Sequence, residues 1–214
     1  MQELARQAGE EDLSQKLVVA HLGSGASLAA IRNGKSVDTS MGFTATSGIP
    51  MSTRSGDIDP GVVLYLLQEK HYSSSQVSEL LTKKSGLLGL SGLCSDMQKL
   101  LDHEHDNASA AEAIAVFCYQ TKKYIGAYAA SLGGLDTLVF TGGIGENASP
   151  VRRKVCEGLE FLGVRIDDSA NNINADVISD SGSPVTVHVI RTNEELIIAQ
   201  HTRDVLSRTT TIET

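Results

Sequence analysis

Alternation of apolar and polar residues divides the chain into short strand-like runs and longer helix-like runs. Strands are favoured where β-branched and other apolar residues cluster between turn-forming residues. Runs of this kind lie at 16–22, 27–31, 36–39, 137–141 and 185–190. Asn33-Gly34 separates the second run from the third and is the strongest two-residue hairpin signal in a sequence. The first three strands are therefore predicted to be consecutive and antiparallel.

Helical spacing of apolar residues predicts helices at 61–70, 75–84, 96–103, 107–132, 150–162 and 193–206. Asp59 followed by Pro60 is typical of an N-cap and a first helical residue, and Ser75 is expected to cap the next helix. The segment 107–132 is apolar around most of its circumference, which indicates burial against a sheet or a partner subunit. Glycine, leucine and serine dominate 85–94, which is predicted to form turns.

The predicted order is three antiparallel strands, then helices alternating with strands that are expected to run parallel. This order predicts the α/β class and a ribonuclease-H-like (actin-like ATPase) domain, with a mixed sheet β-β-β-α-β-α-β and a helical insertion. Actin, sugar kinases and heat-shock chaperone ATPases contain two such domains with ATP between them, and this sequence predicts one. We divide the chain into a remnant of an N-terminal helix or linker at 1–15, a nucleotide-binding domain at 16–206 and a tail at 207–214.

Composition narrows the range of partners. The 214 residues carry a formal net charge of −8, which disfavours nucleic acid and anionic membranes. The three cysteines are widely scattered and form no CxxC pair, which argues against a zinc site or a disulfide scaffold. Reduced thiols, and a polar N-terminus unlike a signal peptide, favour a cytoplasmic location. No run approaches the ~20 apolar residues that a membrane span needs.

Two glycine-rich segments follow strand-like runs, TGGIGEN at 141–147 and HLGSGAS at 21–27. Glycine lets a backbone approach a ligand closely, and a following helix start presents free N–H groups to anionic oxygens. One such segment alone is as compatible with an ordinary tight turn as with a phosphate-binding turn. Two of them, each after a strand, favour a nucleotide site.

Candidate residues in the first half of the chain have structural explanations that the sequence leaves open. His21 could be hydrogen-bonded to backbone at a strand end. Arg54 lies in a long loop at 42–56 and carries a rigid fork of donors that matches phosphoryl oxygens. The same guanidinium could instead pair with Asp57 or Asp59.

Candidates further along the chain have similar alternatives. Asp96 could be the N-cap of the helix that follows it, and Glu146 could be an anion attracted to a helix start. Thr192 and Glu195 fit a capping box, which leaves Glu194 without a structural explanation.

Four segments, taken together, resemble the acetate kinase family, which includes acetate, propionate and butyrate kinases. They are HLGSGAS at 21–27, MGFTATSGIPMSTRSGDIDP at 41–60, FTGGIGEN at 140–147 and TNEEL at 192–196. The segments occur in family order and at family-like spacing, and the resemblance covers 16–206. It corresponds to the C-terminal half of such an enzyme, so the N-terminal ribonuclease-H-like domain is expected to be missing from this chain.

The resemblance implies roles for individual residues. Arg54 is implied to stabilise the transition state, and His21 to face the transferred group. The residues implied to bind nucleotide are His21, Leu22, Gly23, Ser24, Gly25, Asp96, Met97, Gln98, Gly143, Ile144, Gly145, Glu146 and Asn147. Glu194 is implied to hold Mg²⁺, a hard cation that takes oxygen ligands. ATP or ADP is the implied substrate, and Mg²⁺ the implied cofactor.

The sequence departs from the family's pattern near several of these residues. Ser24 stands where the family usually has Asn, which removes an amide donor. Gln98 stands where Arg is frequent, so a planar cation that could stack on adenine is lost. Arg191 precedes Thr192 where Pro is usual, which adds positive charge near the implied metal ligand.

The resemblance implies an acetate kinase, which reversibly transfers a phosphoryl group from Mg-ATP to acetate and gives acetyl phosphate. Direct in-line transfer is implied, with Arg54, His21 and Mg²⁺ neutralising charge. The alternative is a catalytically incomplete module for ATP binding and dimerisation, because in the family the carboxylate pocket lies in the N-terminal half. Propionate and butyrate are alternative substrates. A homodimer is expected, since family members pair through this half and the helix at 107–132 is apolar.

Overall fold

A mixed sheet forms the centre of the computed structural model, which describes residues 15–192 and 202–203. Its strands are β1 Lys16–Leu22, β2 Ala26–Arg32, β3 Lys35–Thr39, β4 Thr137–Thr141 and β5 Thr186–Val189. They lie in the order β3-β2-β1-β4-β5. The pairs β1–β2 and β2–β3 are antiparallel, whereas β1–β4 and β4–β5 are parallel. This arrangement confirms the predicted α/β class and ribonuclease-H-like strand order.

The helices are numbered here in chain order within the described residues. They are α1 Pro60–Gln68, α2 Ser74–Lys83, α3 Gly86–Ser91, α4 Met97–Asp102, α5 Ala108–Leu132, α6 Gly142–Asn147, α7 Ser149–Cys156 and α8 Asp168–Asn172. A short 3₁₀ turn at Glu160–Leu162 lies between α7 and α8. Within the described ranges, no helix combines the length and the hydropathy that a bilayer crossing requires.

The predicted hairpin between β2 and β3 is confirmed. Asn33 has a φ of 51° and Gly34 a φ of 71°. Two consecutive residues in the left-handed region are what a two-residue type I′ turn requires, and the Asn-Gly pair adopts this conformation at little cost. The local sequence therefore determines this turn.

The long helix α5 is buried against elements of its own chain. Asn107 caps it, because the Asn107 Oδ1 accepts from Ala110 N at 3.0 Å, and Gly133 ends it with a φ of 71°. The helix packs on β1 and β2 and contacts α3, α4 and α7. Ile114 and Phe117 are fully buried in these contacts. Of the two predicted explanations for its apolar surface, packing on a sheet is confirmed.

The predicted N-cap of α2 is wrong by two positions. Ser73 caps this helix instead of Ser75, since the Ser73 Oγ accepts from Gln76 N at 3.3 Å. In return, Ser73 N donates to Gln76 Oε1 at 2.8 Å. These reciprocal bonds form a capping box, which only the serine three residues before a glutamine can make.

The segment predicted to form turns at 85–94 instead contains α3, so that prediction is wrong. Leu87 N donates to the Met51 carbonyl at 2.8 Å, and Leu88 N donates to the Ser52 carbonyl at 3.0 Å. The first N–H groups of this short helix are thus satisfied by a distant loop, and Leu87 is fully buried. Tertiary contacts stabilise a helix that local propensity disfavours.

The C-terminal part of the described chain differs in its boundaries from the prediction. The helix predicted at 150–162 ends at Cys156, because Gly158 follows with a φ of 79° and a 3₁₀ turn replaces the last helical turn. Helix α8 lies between the predicted helix at 150–162 and the predicted strand at 185–190, where no element is predicted, and its N-cap Asp167 Oδ1 accepts from Ala170 N at 2.8 Å. The predicted helix at 193–206 lies outside the described residues, except for 202–203.

Candidate functional site

The adjacent parallel strands β1 and β4 bring the two glycine-rich segments together at their carboxyl ends. His21 lies opposite Thr141 in the strand register. Gly142 has a φ of 78°, and a Cβ there would lie 2.7 Å from the Leu22 carbonyl oxygen and 3.2 Å from His21 Cε1. Only glycine permits such close approach in this conformation. The two segments therefore belong to one site, as the sequence predicts.

The second glycine-rich segment is a helix, α6, and the predicted open turn is wrong at this point. Gly142 N begins the helix, and Ala148 N bonds back to the Ile144 carbonyl at 2.9 Å. Asn147 Nδ2 donates to the Gly143 carbonyl at 2.9 Å, along the same helix. A sequence with three glycines in six residues has low helix propensity, so contacts from elsewhere must stabilise α6.

Glu146 supplies one such contact at the start of α6. Its Oε1 accepts from Gly142 N at 3.0 Å, from Thr192 N at 2.8 Å and from Thr192 Oγ1 at 2.7 Å. The hydroxyls of Thr141 and Thr192 are 2.8 Å apart. Glu146 is thus an anion at a helix start, and the helix is the one that contains it, α6.

Arg152 supports the other end of α6 and is fully buried. Its Nη1 donates to the Gly145 and Glu146 carbonyls at 2.8 and 3.1 Å. Its Nε and Nη2 donate to Asn171 at 2.8 and 2.7 Å, and Nη2 also donates to Asn174 Oδ1 at 2.6 Å. Burial lowers the pKa of Arg152 to about 10, so the guanidinium remains charged at neutral pH. A cation therefore faces the carbonyl end of α6, where the helix dipole favours it.

The loop that carries Arg54 is fixed by backbone hydrogen bonds on two sides. Ser52 N donates to the Ser24 carbonyl at 3.1 Å, which ties the loop to the first glycine-rich segment. Ser85 N donates to the Thr53 carbonyl at 3.0 Å, which ties it to the start of α3. Both bonds join main-chain groups only, so these two attachments do not depend on side-chain identity.

Asp57 closes the neck of the same loop. Gly48 N donates to Asp57 Oδ1 at 2.8 Å, and Asp57 N donates to the Gly48 carbonyl at 2.8 Å. The Tyr124 hydroxyl on α5 donates to Asp57 Oδ2. Burial, and then the hydrogen bond to Asp57, raise the pKa of Tyr124 to about 12, so this phenol is a neutral donor at physiological pH. The Arg54 loop is thereby anchored to α5.

The Arg54 side chain lies over the first glycine-rich segment. Its Nη1 donates to the Ala45 carbonyl at 2.8 Å, and its Nη2 lies 3.5 Å from where a Cβ of Gly25 would be. Asp57 is engaged at the loop neck, and Asp59 caps α1. Within the described residues neither carboxylate pairs with Arg54, so the predicted alternative of an ion pair is wrong. Its other N–H groups have no hydrogen-bond partner among the described residues.

The sequence leaves a structural explanation open for both His21 and Asp96, and the outcome differs between the two residues. In the described part of the chain, the His21 imidazole makes no hydrogen bond to protein, so the alternative of a backbone-bonded histidine is wrong. Asp96 is the N-cap of α4, since its Oδ1 accepts from Lys99 N at 3.1 Å. The N-cap alternative is therefore confirmed, and Asp96 lines the cavity as well.

The site is a cavity of about 730 Å³ between these elements. Its lining includes ten of the predicted site residues: Gly23, Ser24, Gly25, Arg54, Asp96, Met97, Gln98, Gly143, Ile144 and Asn147. Sequence reasoning did not identify four other lining residues: Ser52, Thr53, Ser95 and Ala148. Each is within two residues of a predicted one, so extending the motifs along the chain would have found them.

Four further predicted residues are not among the lining residues: His21, Leu22, Gly145 and Glu146. Leu22 is fully buried, and a Cβ at Gly145 would lie 3.4 Å from the Phe140 carbonyl carbon. Leu22 and Gly145 therefore support the lining residues by close packing.

The lining residues fit a cation that arrives with phosphates better than one held by protein alone. Of the described residues, no three His, Cys, Asp or Glu side chains form a group that could hold a metal ion. The lining offers the Asp96 carboxylate and the hydroxyls of Ser24, Ser52 and Thr53. Mg²⁺ commonly takes one or two protein carboxylates and completes its shell with water and phosphate oxygens. Glu194, the implied metal ligand, lies outside the described residues.

Comparison with known proteins gives consistent matches. A sequence model of the acetokinase family matches residues 1–200. An acetate kinase of Clostridium acetobutylicum is 49% identical over 203 residues, which are 92% of this chain and 50% of that protein. An acetate kinase of Methylocella silvestris is 52% identical over 193 residues, which are 90% of this chain and 47% of that protein. The chain thus spans about half the length of the curated relatives it matches.

Solved structures match over the same extent. The crystal structure of an acetate kinase from Porphyromonas gingivalis has a TM-score of 0.91 and 44% identity, and the match covers 96% of this chain and 52% of that one. A propionate kinase from Francisella tularensis has a TM-score of 0.87 and 38% identity, with coverage of 93% and 51%.

Proposed function

The chain belongs to the acetokinase family, and from this we propose that it forms the nucleotide-binding part of an acetate kinase. The proposed reaction is reversible phosphoryl transfer from Mg-ATP to acetate, which gives ADP and acetyl phosphate. The main support is that both glycine-rich segments, the Arg54 loop and the start of α4 line one cavity of about 730 Å³. A volume of several hundred Å³ suits a ligand of nucleotide size.

In this proposal, the phosphate chain lies between the two glycine-rich segments. Residues 21–25 hold it from one side, with the backbone N–H groups of Ser24 and Gly25 directed at phosphate oxygens. Residues 143–147 form the opposite wall, and 96–98 hold the adenosine. The absence of side chains at the glycines supports this arrangement, since it lets main-chain donors approach oxygens closely.

Arg54 and His21 are the proposed catalytic residues. Phosphoryl transfer needs positioning and charge neutralisation more than it needs covalent chemistry. Arg54 is held in place by the Ala45 carbonyl, which leaves other donors of its fork for the oxygens of the transferred group. His21 lies beside Gly142 and Gly23, at the junction of the two segments, and can donate a hydrogen bond to the same group.

Magnesium is the proposed cofactor, with Glu194 as its protein ligand. When bound, it would neutralise and orient the phosphate oxygens. The proposal is supported by the hydroxyl-rich lining, because these neutral oxygens leave the charge of the phosphates to be balanced by a cation and by Arg54.

Nucleotide titration calorimetry on the 214-residue chain tests this proposal. Wild type is expected to bind Mg-ADP and Mg-ATP. Arg54→Ala is expected to weaken ATP about tenfold and ADP by less than about threefold, because Arg54 faces the terminal phosphoryl group. Arg165→Ala, at an exposed arginine remote from the cavity, serves as the control and should change neither affinity. Failure of wild type to bind either nucleotide at millimolar concentration would refute the proposal.

A second candidate function is a module that binds ATP and dimerises without catalysing transfer. It is supported by the described lining, in which Arg54 is the one guanidinium available for both the phosphoryl group and a carboxylate substrate. A hydroxamate assay with Mg-ATP decides between the two, using acetate, propionate and butyrate in parallel. Turnover by the 214-residue chain supports the kinase, and nucleotide binding without turnover supports the module.

We also infer that the protein is a homodimer, and that α1 rather than α5 is its contact surface. None of the residues of α1 is buried, and its sequence PGVVLYLLQ contains no charge. Val62, Leu64 and Tyr65 are each about half exposed. In a chain with a net charge of −8, an uncharged apolar helix is where two copies can meet without repulsion. Sedimentation should therefore show a dimer for wild type and a monomer for Leu64→Glu.

A cytoplasmic location is inferred from the state of the thiols. Cys94, Cys118 and Cys156 are free, and burial raises the pKa of both Cys118 and Cys156 to about 12. Such thiols are unreactive and do not depend on an oxidising compartment. We also propose that the chain is divided into a helix or linker remnant at 1–15, a nucleotide-binding domain at 16–206 and a tail at 207–214.

A further inference from the structure

We propose that Glu146 is a positioning residue that fastens the start of α6 to the chain leaving β5, and that it does not itself contact the nucleotide. The inference rests on the proposed function, in which α6 forms one wall of a nucleotide site. It concerns how that wall is held at a fixed distance from the first glycine-rich segment.

The geometry of the Glu146 carboxylate supports this role. Glu146 is four residues after Gly142, so its side chain lies one helical turn from the N–H that it accepts, at 3.0 Å. The same oxygen accepts from both the N–H and the hydroxyl of Thr192, at 2.8 and 2.7 Å. A single oxygen thereby joins two segments that are 46 residues apart in sequence. We call this group of three residues the Glu146 clasp.

The clasp uses one carboxylate oxygen of Glu146, Oε1, for all three of its hydrogen bonds. Glu146 is absent from the cavity lining, whereas its neighbours Ile144 and Asn147 belong to it. A carboxylate oxygen that accepts several N–H and O–H groups is held in one rotamer. An anion pointing into the cavity would instead repel phosphates. The arrangement therefore separates the charge of Glu146 from the proposed position of the ligand.

The clasp also controls the position of Gly142. This residue has a φ of 78° and lies against the Leu22 carbonyl, so a small shift of its N–H moves α6 relative to β1. Thr141 reinforces the junction, since its hydroxyl lies 2.8 Å from the Thr192 hydroxyl. Loss of the clasp is therefore expected to widen the gap between the two glycine-rich segments, where the proposed phosphates lie.

A double-mutant cycle on the 214-residue chain tests the proposal, with Mg-ADP affinity measured by calorimetry. Glu146→Ala is expected to weaken binding at least about tenfold, and Thr192→Val about threefold, because Val lacks the hydroxyl donor but keeps the N–H. The double variant should bind no more weakly than Glu146→Ala alone, since both changes break the same contact. Fully additive losses would overturn the proposal.

The conservative variant Glu146→Gln distinguishes positioning from direct contact. Gln keeps an oxygen that can accept from Gly142 and Thr192, so affinity is expected to stay within about threefold of wild type. The control Glu112→Ala, at an exposed position on α5, should leave binding unchanged. If Glu146→Gln loses as much affinity as Glu146→Ala while Thr192→Val has no effect, the carboxylate contacts the ligand and the proposal is wrong.

Hydrogen exchange without nucleotide separates this inference from the proposed function. The Thr192 amide proton is expected to exchange at least about tenfold faster in Glu146→Ala than in wild type, whereas the Leu22 amide should not change. The Gly142 amide is not used as a probe, because it keeps the Thr192 hydroxyl as an acceptor at 3.1 Å. Unchanged exchange would refute the clasp even if affinity falls. If wild type binds no nucleotide, the proposed function fails, and so does the claim that the clasp positions a nucleotide wall. If Glu146→Ala does not fold, Glu146→Gln and Thr192→Val carry the same comparison.

Discussion

The two glycine-rich segments follow neighbouring strands and look alike in sequence, yet they are stabilised by different means. The first, at 21–27, is the turn between β1 and β2, and main-chain bonds hold it: Gly23 N donates to the Gly25 carbonyl at 3.1 Å, and the Ser24 carbonyl accepts from Ser52 N. The second, at 141–147, is the helix α6, held at its two ends by the side chains of Glu146 and Arg152.

This difference teaches that similar glycine motifs can depend on the rest of the chain to different degrees. The first segment obtains its shape from strand pairing and backbone contacts, which most substitutions leave intact. The second obtains its shape from charged side chains that recruit residues 171, 174 and 192, far along the chain. Substitutions should therefore damage the second segment more than the first.

Replacing Arg152 gives the largest expected effect on this comparison. Arg152→Met should lower the free energy of unfolding by about 3–5 kcal/mol, because the buried carbonyls of Gly145 and Asn171 lose their donors. Urea denaturation measures the change. The adjacent Arg153→Met is the control: Arg153 is about half exposed and pairs with Asp168, so its loss should cost at most about 1 kcal/mol. Equal losses for both arginines would show that α6 does not depend on Arg152.

The junction between the segments gives the next largest effect. Gly142→Ala should destabilise the protein by about 2 kcal/mol, because φ is positive and the new Cβ would lie 2.7 Å from the Leu22 carbonyl oxygen. Gly126→Ala on α5 is the matched control, since a Cβ added there would meet no atom within 4 Å outside the neighbouring turns of its own helix. There the substitution should stabilise by about 0.5–1 kcal/mol. Thermal unfolding of the two variants should thus shift in opposite directions.

Acid should destabilise β5 and the chain from β5 to Thr192, which holds the second segment, before it affects the first segment. His188 on β5 is buried, and burial lowers its pKa, with Asp176 partly opposing the shift. The unfolded chain therefore binds more protons at low pH, so stability is full above about pH 6.5 and falls as the pH drops below it. Its Nδ1 has no partner among the described residues.

Hydrogen exchange at several pH values checks this prediction. Below about pH 6.5 the Thr192 amide should exchange faster while the Leu22 amide stays protected, after correction for intrinsic rates. His188→Leu should remove most of the pH dependence. A variant with the wild-type pH profile would mean that another group causes the acid sensitivity.

The first segment should tolerate side-chain replacement best. Ser24→Ala is expected to change the free energy of unfolding by less than about 0.5 kcal/mol, since Ser24 is exposed and its carbonyl makes the structural bond. Ser24→Asn, which restores the residue usual in the family, should tighten Mg-ADP binding by up to about tenfold through an added amide donor. Calorimetry and urea denaturation together measure both effects, and a loss of stability in Ser24→Ala would contradict the backbone explanation.

Most of the fold could be predicted because its signals are local. The Asn33-Gly34 turn and the caps Asp59 and Asp96 depend on residues within a few positions, so the sequence contains the whole cause. Helices α3 and α6 could not be predicted, because contacts from outside each helix stabilise them. The Met51 carbonyl, in a distant loop, accepts from the start of α3, and the Arg152 guanidinium donates to the end of α6. The correct cap of α2 could have been predicted from nearby residues, because among the consecutive serines only Ser73 lies three positions before Gln76.

The residues that form the candidate site could be predicted from the sequence, but the separate role of each residue could not. Glycine motifs and Arg54 identified most of the cavity lining, because close backbone approach and guanidinium chemistry are properties of the residues themselves. The role of Glu146 depends on Thr192, and sequence spacing gives no indication that these two residues meet. The freedom of Arg54 from Asp57 likewise follows from contacts with Gly48 and Tyr124.

The closed neck of the Arg54 loop has a consequence for how this protein can vary in evolution. Because two hydrogen bonds of 2.8 Å each join Gly48 and Asp57, the ends of the segment between them are held together. Residues 42–47 lie outside the neck and are mostly exposed, and the Ala45 carbonyl within this stretch holds the Arg54 guanidinium. Length changes in that stretch would therefore move the Arg54 side chain while the backbone that presents it stays fixed.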